Sequence, residues 1–174
     1  MVTDSNIIKL QNPWWENIHA LEEDQHLFEI EGKSYKYIPS IVDKISFEKG
    51  DIHIMRGPRQ VGKTTTLKLI IKKLISLGQN PSTIIYLSCE SFLSFSELQP
   101  VLIECIKEKL SDHIYLFLDE ISFVKAWQRA ILSLANMGLL RNATVILTGS
   151  NARDLKESSE RLPGRRGNGK DYKL

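Results

Sequence analysis

The stretch from Gly57 to Thr65, GPRQVGKTT, contains the residue types that hold a phosphate chain. Gly57 is followed by four residues and then by Gly62, Lys63 and Thr64, the full Walker A spacing. Glycines let a backbone wrap closely round an anion and turn its N–H groups inward, where a Cβ would obstruct. A lysine supplies a cation for the terminal phosphates, and a neighbouring hydroxyl is a hard oxygen ligand for Mg²⁺. Lys63 is therefore expected to reach the β- and γ-phosphates, Thr64 to hold Mg²⁺, and Thr65 to approach the α-phosphate. Pro58, Gln60 and Val61 supply loop backbone. Arg59, in mid-loop, is expected to line the cofactor site facing solvent rather than to take part in chemistry.

A second candidate lies further on. In IYLFLDE an apolar run ends on Asp119 and Glu120. Two acids there are costly unless they sit at the carboxyl end of a buried strand, where open α/β sheets bind ligands. This is the Walker B arrangement. Asp119 would hold Mg²⁺, partly through water, and Glu120 would orient or deprotonate the water that attacks a γ-phosphate. VILTGSN ends another apolar run on polar residues. Ser150 and Asn151 are candidates to sense the γ-phosphate or the attacking water. Either would also serve as a helix N-cap, and the two roles are compatible. The Asn-Lys-x-Asp loop that reads guanine is absent, so ATP is the expected nucleotide. Trp14 and Trp15 could stack on a base, but an aromatic pair ahead of a domain reads first as a packing anchor.

These residues need a scaffold that brings strand ends together. DIHIMR, TIIYLSC, HIYLFLDE and ATVILTG read as strands. Between them lie three helical patterns, within 64–78, 96–110 and 122–138, the first stopped by Gly78 with Pro81 beyond. In the third, Ser122 is expected to cap the start, and Phe123, Trp127, Ile131 and Leu134 to line one face. Strands alternating with helices imply a three-layer α/β fold, a parallel sheet flanked by helices. Residues 1–50 form a lead-in in which HLFEIEGKSYKYI reads as a β-hairpin round Glu31-Gly32-Lys33. Residues 51–174 form the nucleotide-binding core.

Composition narrows the function classes. The chain has 174 residues, 42% of them hydrophobic and 25% charged, as in an ordinary globular domain. No apolar run approaches the roughly 20 residues that span a bilayer, so no membrane partner is expected. Cys89 and Cys105 have no metal-ligand spacing and read as buried thiols of a cytoplasmic protein. Net charge is +2, yet the basic residues Arg161, Arg165, Arg166, Lys170 and Lys173 crowd the last fourteen positions, against one acid, Asp171. The rest of the chain is slightly acidic, which argues against a general nucleic-acid-binding body.

GPRQVGKTT, IYLFLDEI, Trp127 in the following helix, VILTGSN and the early NPWW together resemble the AAA-like archaeal and bacterial P-loop ATPases that carry a C-terminal domain of unknown function. These are relatives of the signal-transduction ATPases with numerous domains. The resemblance implies a P-loop core with ATP and Mg²⁺ as ligands. Lys63 and Thr64 would bind phosphate and magnesium, Asp119 and Glu120 would form the Walker B pair, and the TGSN end would be a first sensor. It also implies a Gly-Arg element late in the core, matched by GRRG at 164–167, in which Arg165 or Arg166 would contact phosphate. Family members run on through a fifth strand, a helical lid and a C-terminal domain. KDYKL is thus expected to open the fifth strand, and the chain to stop within the core.

Three readings follow. The first is Mg²⁺-dependent ATP hydrolysis driving a conformational switch, with Lys63, Glu120, Asn151 and Arg165 as catalytic residues; a protein partner or the absent C-terminal domain is the candidate partner, and what the ATPase acts on is left open. The second is a non-catalytic ATP-binding module or truncated remnant. The third, a nucleic-acid-binding ATPase using the basic tail, lacks an interleaved aromatic platform. Oligomeric state is left open.

Overall fold

The computed structural model describes residues 4–32, 34, 37–150 and 166–174. Helix α1 (Asp4–Gln11), 3₁₀ turns at Pro13–Trp15 and Ile18–Leu21, α2 (Gln25–Glu31) and α3 (Ile41–Lys44) precede the core. The core then runs β1 (Ile52–Arg56), α4 (Lys63–Ser76), β2 (Ile84–Ser88), α5 (Phe95–Lys107), β3 (Ile114–Asp119), α6 (Trp127–Asn136), β4 (Ala143–Gly149) and β5 (Asp171–Lys173). All strand pairs are parallel and the order is β2–β3–β4–β1–β5. The α/β architecture expected from the alternating pattern is the one observed, with KDYKL supplying the fifth strand.

Side chains alternate across this sheet and build a core on each face. Ile114, Leu116 and Leu118 of β3, with Ile85 and Leu87 of β2, pack under α5 and α6, where Leu98, Leu102, Trp127 and Ile131 are buried. Tyr115 and Phe117 of β3, with Tyr86 and Met55, pack under α4 and the N-terminal helices, where Trp14, Leu27, Leu67 and Ile71 are buried. Every residue of β3 is buried, which explains its almost unbroken apolar run. Full burial of each large aliphatic side chain contributes about 1.5–3 kcal/mol. The two acids at the end of β3 therefore rest on a rigid base.

The edge of β2 that faces away from β3 is covered by the N-terminal lead-in. Asn12 pairs with it as a strand would: its Nδ2 donates to the Tyr86 carbonyl (2.8 Å) and its Oδ1 accepts from the Tyr86 N–H (2.6 Å). Gln11 Oε1 accepts from the Ser88 N–H (2.7 Å). The indoles of Trp14 and Trp15 both donate to the Ile84 carbonyl, at 3.0 and 2.8 Å. The two tryptophans thus anchor the lead-in to a strand edge, the packing role expected of such a pair.

Three expectations need correction. The proposed hairpin begins as a helix. Asp24 caps α2 by accepting from the His26 N–H (3.0 Å), Gln25 donates to Glu29 one turn on (3.1 Å), and Leu27 is buried against α4. Local capping and one buried contact outweigh a short alternating pattern. Of the other arm, Tyr37, Ile38 and Pro39 form no strand, while Lys33, Tyr35 and Lys36 fall outside the described residues. Secondly, Ser122 does not cap α6. It lies in a 3₁₀ turn, Ile121–Phe123, and α6 starts at Trp127 after Ala126 in a left-handed conformation. Lys125 is tied to the loop before α5, its N–H donating to Leu93 O and its carbonyl accepting from Phe95 N–H, both at 3.0 Å, which delays the helix. Phe123 consequently stays exposed rather than lining the core face.

The third correction concerns the basic tail. Arg166 donates to the Ile52 carbonyl (3.3 Å) and to Asp171 Oδ1 (2.6 Å), at the amino end of β1 and so opposite the phosphate loop. Asn168 N–H donates to the buried Asp51 carboxylate (2.7 Å), and Lys170 N–H to His53 Nδ1 (3.1 Å). Arg166 fastens β5 to β1 and does not serve as a phosphate contact. Arg165 lies outside the described residues.

His53 carries a pH dependence. Burial holds its pKa below 6.5 despite Asp51 nearby, with Arg166 and Lys170 pushing the same way as burial. The unfolded chain then binds the proton more readily than the folded one. The stabilising effect of a neutral His53 is complete above about pH 6.5 and is lost as pH falls through the lowered folded value. Melting temperature is expected to decline below about pH 6.5, and less steeply in His53→Asn, which keeps an acceptor without a titrating ring.

Candidate functional site

Four strand ends and one helix start converge at the carboxyl edge of the sheet. β1 delivers Gly57 into the loop, and the loop reaches α4 through Gln60 and Gly62, both at positive φ (64° and 89°). Gly62 takes that shape without the strain a side chain would meet. A Cβ on Gly57 would come within 2.9 Å of Val61 Cγ2 and 3.1 Å of the Leu174 carbonyl, so the loop is packed closely from inside and from β5. Helix α4 follows at once, and its first N–H groups face the loop, where an anion is favoured.

Lys63 is buried, and its ammonium is fully engaged. It donates to the carbonyls of Gly57 (3.0 Å) and Pro58 (2.8 Å) and pairs with Glu120 Oε1 at 3.0 Å. Thr64 Oγ1 donates to Asp119 Oδ2 (2.7 Å). Loop and acid pair are thereby joined directly, across 55 residues of sequence.

Asp119 is 3% exposed and accepts from three hydroxyls. Thr64 and Tyr86 (2.9 Å) donate to Oδ2, and Thr148 Oγ1 donates to Oδ1. Glu120 follows in a left-handed conformation, φ 51°, which turns its side chain off the strand toward Lys63. Its N–H donates to Thr148 Oγ1 and its Oε2 accepts from the Ser150 N–H, both at 2.9 Å. Thr148 at the end of β4 therefore links both acids, and Ser150 contributes its backbone N–H. Asn151 lies outside the described residues.

The remaining loop residues divide. Pro58 and Arg59 are exposed, and the Arg59 guanidinium stands 5.4 Å from the centre of the Phe123 ring, as expected of a solvent-facing residue. Gln60, Val61, Gly62 and Thr65 line an open cavity of about 240 Å³ together with Ile30, Tyr37, Pro39, Thr66 and Leu69.

Two partners were not foreseen from the motifs. Tyr86 of β2 reaches Asp119 from the neighbouring strand. Its pKa is pushed far up, first by burial and then by that carboxylate. Lys68, in the second turn of α4, holds its ammonium 3.9 Å from the centre of the Tyr86 ring and 5.0 Å from that of Trp14, paired with Asp24 at 3.2 Å. Burial lowers the Lys68 pKa, against the opposing pull of Asp24. The apolar face of α4 predicts burial at that position's neighbours, but nothing local announces a buried cation. Cys89 and Cys105 are free and buried, their thiols pushed up by burial, Cys105 to about 11. Among the described residues no helix is long and apolar enough to cross a membrane.

Comparison with known proteins agrees with this geometry. Residues 49–173 match the family described as AAA domain. An uncharacterised protein of Haemophilus influenzae is 34% identical over 131 residues, which is 70% of this chain and 31% of that protein. The chain thus spans less than a third of that relative's length. Among solved structures, the Aeropyrum pernix ORC2 protein in ADPNP–ADP complexes superposes with a TM-score of 0.54 at 14% identity, over 91% of this chain and 52% of that one. The replication initiator DnaA, bound to AMPPCP and single-stranded DNA, gives 0.54 at 17% identity, over 92% and 51%. At such identities the likeness is one of fold. With a family match covering most of its length and the loop and acid pair in contact within it, the chain belongs to the AAA-like P-loop ATPase family.

Proposed function

We propose that this chain binds ATP with Mg²⁺ and hydrolyses it, the hydrolysis driving a conformational switch. The observation that carries this reading is the convergence of Lys63 and Thr64 with Asp119 and Glu120: two separate stretches of chain meet through the Lys63–Glu120 ion pair and the Thr64–Asp119 hydrogen bond. The donor set suits a hard cation: a hydroxyl and a carboxylate meet at 2.7 Å, and because Thr64 gives its proton to Asp119, a lone pair on its oxygen is left to ligate. When bound there through Thr64 and Asp119, Mg²⁺ would neutralise charge on the phosphate oxygens.

The protein's own groups would do the rest. The loop N–H groups and the start of α4 hold the phosphates. Lys63 exchanges its loop carbonyls and Glu120 for the terminal phosphates and steadies the charge that develops on them. Glu120, freed from the lysine but still held by the Ser150 N–H, orients a water and takes its proton. The cavity beside Thr65 suits a purine, with Ile30, Pro39 and Leu69 as apolar walls and the Tyr37 ring at its rim. The ADPNP–ADP and AMPPCP complexes of the two fold neighbours support an adenine nucleotide. What the switch acts on would be a protein partner or a further domain.

A melting curve tests the reading. At a hundred times its dissociation constant, a ligand specific for the folded state adds about 2.7 kcal/mol. For a chain of this size that amounts to about 5–10 °C. ATP with Mg²⁺ is expected to give such a rise and GTP much less, with phosphate released only from ATP. No rise with either nucleotide would sink the reading.

A further inference from the structure

The hydroxyl of Tyr86 has one bonding partner among the described residues, the Asp119 carboxylate. The position itself calls for an apolar ring. Tyr86 is 6% exposed and shares its face of the sheet with Met55, Phe117 and Ile146, all buried. Burying a phenol costs free energy unless the hydroxyl is paired, and phenylalanine would fill the same space at no such cost. The oxygen is therefore explained by what it touches.

Asp119 is the more demanding partner. It is buried, and among the described residues no cationic side chain pairs with it. Instead three hydroxyls approach from three elements: Thr64 from α4, Thr148 from β4 and Tyr86 from β2. Thr64 and Thr148 are tied to the loop and to Glu120, so both sit on parts that must adjust as nucleotide enters. Tyr86 stands on a strand whose far edge is sealed by Asn12. Its ring is pressed from the other side by the Lys68 ammonium at 3.9 Å, which Asp24 holds in place at 3.2 Å.

We propose that Tyr86 is a positioning residue for Asp119: its hydroxyl fixes the carboxylate in the orientation that accepts Mg²⁺ beside ATP, and Lys68, anchored by Asp24, fixes the ring. This deepens the reading above and rests on Asp119 holding the cation. Groups that orient metal-holding residues from behind are typically worth 10–100-fold in metal affinity. A single neutral hydroxyl belongs near the lower end of that range.

The test separates metal from nucleotide. A fluorescent N-methylanthraniloyl ATP is titrated into the protein in EDTA, and then Mg²⁺ is titrated at fixed analogue. Tyr86→Phe is expected to bind the analogue in EDTA within about twofold of the parent and to need about tenfold more Mg²⁺ for half-maximal metal-dependent binding. Lys68→Met, which keeps the buried stem and removes the cation, should move the same half-point in the same direction by a smaller factor. A purely structural role would lower the melting temperature and leave the Mg²⁺ half-point where it is in both variants. That result overturns the proposal while leaving ATP binding intact. A parent protein that binds no analogue in either condition overturns the ATP reading, and this proposal with it.

Discussion

Lys63→Ala is expected to remove the ATP-dependent rise in melting temperature altogether, with affinity falling at least about 100-fold, or about 2.7 kcal/mol. The size follows from the surroundings of the ammonium. It is buried and engages two loop carbonyls and Glu120, and among the described residues no other cation pairs with Glu120. An alanine would leave the Glu120 carboxylate facing incoming phosphate with nothing to offset the repulsion. The substitution also disturbs the unliganded protein, since the loop carbonyls lose their donor. The decisive comparison is therefore the nucleotide-dependent shift of each protein against its own baseline, with Lys63→Met as a companion that keeps the buried stem. A variant that retains the parent's full shift would rule out the loop as the phosphate site.

The second large effect separates binding from turnover. Glu120→Gln is expected to bind ATP within a few-fold of the parent while its single-turnover phosphate release falls about 10²–10⁴-fold, the usual contribution of a general base. Glutamine keeps an oxygen to accept from the Ser150 N–H, so the backbone at the end of β4 need not move. It cannot take a proton, and it gives up the 3.0 Å ion pair that holds Lys63 away from phosphate. Binding is thus preserved or improved as chemistry is lost. Hydrolysis at the parent rate would show that another group activates the water.

The phosphate loop and acid pair were legible because each is a local pattern with one physical purpose. Glycines at 57 and 62 flank the loop, Lys63 and Thr64 open a helix, and Asp119 and Glu120 close a strand too apolar to be anything but buried. The same holds for the strands: largely apolar stretches of five to seven residues became β1 to β4. What escaped depends on distance along the chain. Tyr86 lies 33 residues from the carboxylate it serves, and Asn12 lies 74 from the strand it pairs with. Neither has a neighbour in sequence that reveals its role. The segment from His26 misleads for a different reason. Over so few residues an alternating pattern and a single helical turn bury similar faces, and the deciding signal was the capping aspartate, Asp24, just ahead of it.

The cover on β2 bears on how this sheet meets other chains. A parallel sheet has two margins, and a bare margin is a template for any extended peptide that drifts by. At one margin the outward groups of Ile84, Tyr86 and Ser88 are already taken by Gln11, Asn12, Trp14 and Trp15. At the other stands β5, three residues long and flanked by charge. The AAA match begins only at residue 49, downstream of that whole cover. A fragment cut to the match would keep the loop, the acid pair and all five strands, yet carry an unsatisfied strand margin prone to self-association. The lead-in thus occupies a strand margin that would otherwise be bare, a role that nucleotide motifs do not encode and that a domain boundary drawn from them would discard.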